Sequence, residues 1–359
     1  MENEKAQHPR SKKKIALIII ICILAVFFFI IMPLLTRLVY LDNFGKRFET
    51  AEWMAYSVNE FDGLKVTEST FPSNNGQLLA GYHYSKENQE VKGVLVIAHG
   101  FGGGGHNTYM DIADYFTSNG YLVFAYDATG NDKSEGETVG GMPQGVIDLD
   151  FALRYVKQTD EYQDLPIVLF GHSWGGYCVG SVLNCHTDVK AAVLVAGFNR
   201  SIDLFEQQGE SMIGSGIKLF MPYVSVYERL KFGKYASYNA IDGFGTSDAE
   251  IMILHSKDDS TVLPENGYEK FYDAYGDNPR FHFIEYEDRG HDSVYYSDAA
   301  RRYKKQLNKD YTAYVEANGG EYNAEIKAEF MKQNLDKSKC YEFDYDLMQK
   351  ISNFYDSAL

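Results

Sequence analysis

The segment of this chain best equipped for chemistry is Gly171-His172-Ser173-Trp174-Gly175. It is a G-x-S-x-G sequence between a strand-like run, PIVLFGH, and a helical stretch from Ser173 to about Leu183. In that setting the glycines permit a turn too tight for side chains, and the turn lifts a serine hydroxyl above the edge of a sheet. An ordinary strand-to-helix turn with Ser173 as N-cap would use the same residues. A nucleophile is the better reading if partners follow, because a serine needs a base and the base needs an orienting acid.

Nine histidines compete for the role of base. His8 lies before the apolar run near the N-terminus, His83 precedes the core of the sheet, and His186 follows the serine's helix. His172 adjoins the serine and should point into the fold. His255 and His282 lie within strand-like runs, where a packed core histidine is expected. His291 differs, because it sits in Asp288-Arg289-Gly290-His291-Asp292, a loop after the last strand-like run. For the acid, HSKDDSTV at 255–262 follows the penultimate strand, and either Asp258 or Asp259 could serve. The order serine, aspartate, histidine is one of the known orders for such a triad.

An acyl substrate's oxygen also needs donors as negative charge develops on it. The residue after the nucleophile, Trp174, offers one backbone N–H. HGFGGGGH at 99–106 follows another strand-like run and offers a second from Phe101, with glycines that let the backbone approach a substrate closely. No Gly-Lys-Ser/Thr follows, so a phosphate-binding loop is not expected. His99 and His106 lack a third ligand nearby, so neither a metal nor another cofactor is expected.

These loops need a scaffold. From about residue 61 the chain alternates β-rich runs with helical ones: LKVTESTF, LLAGYHYS, GVLVIAHG, YLVFAYD, PIVLFGH, AAVLVAGF, EIMILHS and FHFIEYE are the strands. The first two should pair antiparallel. Repeated strand–helix–strand units imply a parallel sheet covered on both faces. Residues 199–246 are too long and too apolar for a loop and read as a cap over the sheet's carboxyl edge. Residues 300–340 read as a charged helical insertion of unassigned role. A final amphipathic helix, DLMQKISNFYDSAL, puts Leu347, Ile351 and Phe354 on one face.

Composition sets limits on partners. The 359 residues are 45% hydrophobic, ample for a large core, and carry a formal net charge of −16. Residues 1–14 hold five basic residues against two acidic ones, so the remainder is more acidic still and nucleic acid is not an expected partner. Residues 15–35, IALIIIICILAVFFFIIMPLL, are uncharged and would span roughly 31 Å as a helix, matching a bilayer core. No small-x-small cleavage site follows, so an uncleaved signal anchor is expected rather than a signal peptide. The basic residues before it favour a cytoplasmic N-terminus and an extracytoplasmic body. The expected layout is a basic tail at 1–14, the anchor at 15–35, a juxtamembrane connector at 36–60, and a catalytic domain at 61–359. Cys178 and Cys185 are expected on one helix, too far apart to bridge, and all four thiols are expected to be free.

Taken together, GHSWGG, HSKDDSTVLP, RGHD and the run HGFGGGGHNTYMDIADYFTSNGYLVFAYDATGNDKSEG resemble the α/β-hydrolase superfamily. The similarity is greatest to the branch of monoacylglycerol lipases, lysophospholipases and serine aminopeptidases, and it covers roughly residues 75–295 and the final helix. The register of that family selects Asp259 as the acid. Two departures stand out: Asp132 and Ser256 occupy positions where the family has glycine. The resemblance implies an α/β fold with a mostly parallel sheet and a helical cap. It also implies hydrolysis of an ester or amide through an acyl-enzyme on Ser173, with His291 as base. Carboxylesterase or monoglyceride-type lipase activity is the first expectation. An aminopeptidase is the second, because Trp174 resembles the G-x-S-W-G of prolyl aminopeptidases and Asp203, Glu206 and Glu210 could hold a peptide amine. A non-catalytic, membrane-tethered binding protein that keeps the fold is the third; a protein partner is left open, with residues 300–340 as the segment that would either pack on the body or meet one.

Overall fold

The computed structural model describes residues 12–87 and 89–359. Most of the basic tail, with His8, lies outside the described residues. Eight strands form one sheet: β1 (Lys65–Pro72), β2 (Leu78–Ser85), β3 (Gly93–Ala98), β4 (Tyr121–Tyr126), β5 (Ile167–His172), β6 (Ala191–Val195), β7 (Glu250–Ser256) and β8 (Phe281–Tyr286). Their order is β1-β2-β4-β3-β5-β6-β7-β8. β1 and β2, and β2 and β4, pair antiparallel; every later pair is parallel.

The period of two along each strand builds a core on each face of this sheet. Val94, Val96 and Ala98 of β3 join one core, which also takes Leu169 of β5 and Ile253 of β7. Leu95, Ile97, Phe170 and Leu254 join the other. The helices Met142–Gln158 and Trp174–Val182 cover the first face, and Met110–Ser118 and Tyr345–Ala358 cover the second. The edge strand β8 corrects one expectation. His282 is not a core residue: its side chain is 51% exposed and lies against Phe354. Cys185 also lies past the end of the helix that carries Cys178, and all four cysteines are free.

Residues 199–246 fold into helices, chief among them Ser201–Ile213 and Met221–Phe232. Residues 300–340 form the helices Asp298–Ala317, Ala324–Asn334 and Lys337–Cys340. They pack on the body through a small core of Leu307, Phe330 and Met331 joined by Trp53.

The N-terminal apolar run belongs to one helix from Lys12 to Phe44, which continues past the expected end of the anchor. A wider π-helical turn, Phe27–Ile31, precedes Pro33. Proline lacks the N–H that would bond one turn back, and a looser turn accommodates it. Residues 12–31 are exposed on every side. Beyond them Met32, Thr36, Tyr40 and Phe44, one per turn, are buried.

Candidate active site

The carboxyl ends of β3, β5, β7 and β8 lie along one edge of the sheet, and the segments that follow them carry Phe101, Ser173, Trp174, Asp259 and His291. Binding at this edge is the general rule for such sheets. Ser173 follows β5 with φ 57° and ψ −117°, a conformation costly for a residue with a Cβ. It is held by its N–H bond to Val195 O (2.8 Å) and by close packing of its neighbours. A Cβ on Gly171 would sit 2.2 Å from Gly175 O, and one on Gly175 would sit 1.9 Å from Ala98 O. Only glycine fits either place.

Ser173 Oγ lies 2.8 Å from His291 Nε2. His291 Nδ1 lies 2.8 Å from Asp259 Oδ2. Asp259 is buried, and its Oδ1 accepts the N–H groups of Thr261 and Val262, both at 2.9 Å. Burial alone would raise this carboxyl, but the hydrogen bond and charge of His291 and the Val262 N–H outweigh it and hold the group below the ordinary range. Asp259 is therefore an acceptor for His291 Nδ1–H, which leaves Nε2 free to accept the serine proton.

Asp258 has a different position. Its Oδ1 accepts from Ser256 Oγ (2.6 Å) and from the Gly290 N–H (2.8 Å), while Ser256 Oγ accepts from the Arg289 N–H (2.8 Å). Ser256, one of the two departures from glycine, thus ties the loop after β7 to the loop bearing His291. Asp132, the other, keeps a positive φ of 38°. Its carboxylate accepts from Thr50 N and Thr50 Oγ, each at 2.6 Å, and so fastens the connector to the loop after β4.

Sequence reasoning overlooked a second set of contacts. Gly100 N–H donates to the Tyr109 hydroxyl (3.0 Å), which lies 3.1 Å from His172 Nδ1. His172 Nε2 lies 3.1 Å from the backbone oxygen of His291. This chain links the glycine loop to the histidine loop. Burial and the adjacent His291 lower His172 to about 4, so it stays neutral and serves to position its neighbours. His255 also approaches Asp259, with Nε2 3.3 Å from Oδ2. His99 and His106 serve the loops: His99 accepts from Ala128 N (3.0 Å), and His106 Nδ1 lies 2.8 Å from Asp127.

Phe101 and Trp174 flank the serine, with rings edge to face at 5.6 Å. Trp174 opens its helix, where a backbone N–H has no partner one turn back. Both line a cavity of about 890 Å³ that also contains Ser173 and His291. The cap contributes Leu204, Met212, Ile217 and Val224, and the helices of 298–340 contribute Leu307 and Met331. Asp203, Glu206 and Glu210 do not line it. Asp203 pairs with Arg200 and Lys270, and the two glutamates face Lys218.

Glu228 is a carboxylate in the cavity wall, 2% exposed. Burial pushes it up to about 7, against bonds from Ser201 Oγ (2.7 Å) and Tyr40 OH (2.9 Å) and the charge of Lys231. The unfolded chain releases this proton near pH ~4.3, so Glu228's contribution to stability is full below that pH and falls as pH rises toward 7. Glu228→Gln cannot titrate. The stability difference between the two proteins should shift by roughly 3 kcal/mol across that window, measured by denaturant titration. Asp111, also raised to about 7 by burial, titrates in both proteins and cancels. Parallel profiles would show that Glu228 releases its proton over the same pH range folded as unfolded.

The profile of the family described as "Serine aminopeptidase, S33" matches residues 89–241. Caffeoylshikimate esterase of Arabidopsis thaliana is 33% identical over 116 residues, 32% of this chain and 35% of that protein. Monoglyceride lipase of Homo sapiens is 32% identical over 94 residues, 26% and 30% of the two chains. The chain thus spans about a third of the length of these curated relatives. An esterase of Pyrococcus furiosus superposes with a TM-score of 0.51 at 13% identity, covering 78% of this chain and 95% of the esterase. Acetyl xylan esterase from Paenibacillus sp. R4 superposes with a TM-score of 0.51 at 17% identity, covering 71% and 85%. The likeness to these two structures is one of fold. The chain has the α/β-hydrolase fold and, within it, resembles the branch of monoacylglycerol lipases and serine aminopeptidases.

Proposed function

We propose that this chain is a membrane-anchored serine hydrolase that cleaves carboxylic esters of acyl chains, acylglycerols or similar, through an acyl-enzyme on Ser173. The observation that carries this reading is the run of two 2.8 Å hydrogen bonds from Ser173 through His291 to Asp259 on the wall of an apolar cavity. Ser173 Oγ attacks the ester carbonyl as His291 Nε2 takes its proton. The N–H groups of Phe101 and Trp174 receive the developing oxyanion; one such donor typically contributes about 2.7–4 kcal/mol to the transition state. His291 returns the proton to the leaving alcohol, then activates the water that releases the acid. Asp259 orients His291 and stabilises its charge. The matched relatives named as an esterase and a lipase support ester chemistry.

In this reading residues 15–35 cross the membrane with the N-terminus cytoplasmic. The catalytic domain, 61–359 with its cap at about 199–246, lies on the other side. The test uses the full chain in detergent, with p-nitrophenyl esters of increasing chain length and aminoacyl-p-nitroanilides, beside labelling by a fluorophosphonate. Ester turnover with labelling of Ser173 is the expected result. Anilide turnover alone would replace this reading with an aminopeptidase. An unlabelled serine and no turnover would leave a binding protein of the same fold.

A further inference from the structure

We infer that the anchor helix is itself a wall of the catalytic cavity, and that the acyl ester enters the cavity sideways from the bilayer. The inference rests on the ester-hydrolase reading and adds the route and physical state of the substrate. The uncharged run ends at Leu35, so the helix leaves the hydrocarbon near Thr36 and Arg37. Thr36, Val39, Asn43 and Phe44 line the same cavity as Ser173 and His291. Val39 stands four residues past Leu35, about 6 Å along a helix. The stretch of cavity wall that these residues form therefore lies at the level of the lipid headgroups.

The helix is fixed to the body and cannot act as a loose tether. Tyr40 is fully buried, bonds to Glu228 of the cap, and packs on Phe205 and Tyr227 at centroid distances of 5.9 and 4.8 Å. Phe44 meets Phe101, the proposed oxyanion residue, edge to face at 5.7 Å. Arg47 then donates to the backbone oxygens of Asp132 (2.8 Å) and Ser134 (3.1 Å). The orientation of the body toward the membrane follows from that of the helix.

The cap helix Met221–Phe232, which packs on the anchor, carries Val226 and Leu230 on its outer side, 59% and 82% exposed; Leu219 just before it is 69% exposed. Exposed apolar groups beside a membrane-spanning helix fit the headgroup–acyl boundary. The body is acidic, so this contact is apolar and a zwitterionic bilayer suffices.

The test reconstitutes the full chain in dioleoylphosphatidylcholine vesicles and measures two substrates, soluble p-nitrophenyl butyrate and monooleoylglycerol dissolved in the same bilayer. The triple variant Leu219→Asp, Val226→Asp, Leu230→Asp changes no cavity residue. It should keep butyrate turnover within about twofold and lose tenfold or more on the bilayer substrate. Val39→Trp, which narrows the proposed wall, should shift the preferred p-nitrophenyl ester to a shorter chain. A triple variant equally active on both substrates, or a Val39→Trp enzyme with unchanged chain preference, overturns the inference while wild-type turnover leaves the hydrolase standing. If the triple variant loses fluorophosphonate labelling through misfolding, Val39→Trp decides alone. A wild-type chain inert to every ester removes both readings.

Discussion

Ser173→Ala is expected to lower kcat on a p-nitrophenyl ester by about six orders of magnitude and to leave the fold intact. That loss corresponds to about 8 kcal/mol of transition-state stabilisation. The hydroxyl's hydrogen-bond partner is His291 Nε2, which faces the cavity, so water can take the hydroxyl's place there. The strained backbone at φ 57° is kept by alanine, so stability should change by less than about 1 kcal/mol. His172 cannot take over as base, because both its ring nitrogens are engaged, by Tyr109 and by the backbone of His291. Rapid mixing should give a burst of p-nitrophenol equal to the enzyme present in the wild type and none in the variant. A burst that survives the substitution would place the nucleophile elsewhere. The residual rate should still exceed that in water, because the oxyanion donors and the cavity remain.

The strands, and the loops that hold the candidate serine and histidine, were legible because each depends on local pattern. A G-x-S-x-G between a β-branched run and a helix has few alternatives, and the buried parallel strands, such as GVLVIAHG and AAVLVAGF, are unbroken apolar runs. His282 misled for the same reason: its strand has a core pattern, but β8 is the sheet's edge, and edge position is a tertiary property. Composition could not show that the helix Lys12–Phe44 continues past the apolar run to pack on the body, since a packed face of Met32, Thr36, Tyr40 and Phe44 in an apolar helix has no polar contrast to mark it. Nor could it show that residues 298–340 wall the cavity, because Leu307 and Met331 meet it across long stretches of chain. The two departures from glycine are explained only by contacts: Asp132 with Thr50 of the connector, and Ser256 with Asp258 and Arg289.

The two neighbouring aspartates, which pattern alone left open, give the second large effect. Asp259→Asn should reduce kcat/KM by about four orders of magnitude, whereas Asp258→Asn should cost less than about tenfold. The difference follows from who occupies each oxygen. Asp259 Oδ1 is fixed by the N–H groups of Thr261 and Val262, so an asparagine must keep its oxygen there and turn its NH₂ toward His291 Nδ1. That nitrogen must then accept, which forces the imidazole proton onto Nε2, facing Ser173 Oγ. A base that already carries its proton at the serine cannot take another, and the imidazolium that would form loses its counter-charge. Asp258 faces only donors, Ser256 Oγ and the Gly290 N–H, on a single oxygen, and an asparagine oxygen can accept both. Its replacement therefore loosens the histidine loop without altering the proton's position. Ester kinetics of the two variants side by side, with the rate of fluorophosphonate labelling as a second reading of serine reactivity, separate the cases. A larger loss for Asp258→Asn than for Asp259→Asn would mean that the acid acting on His291 during turnover is not the one bonded to it at 2.8 Å.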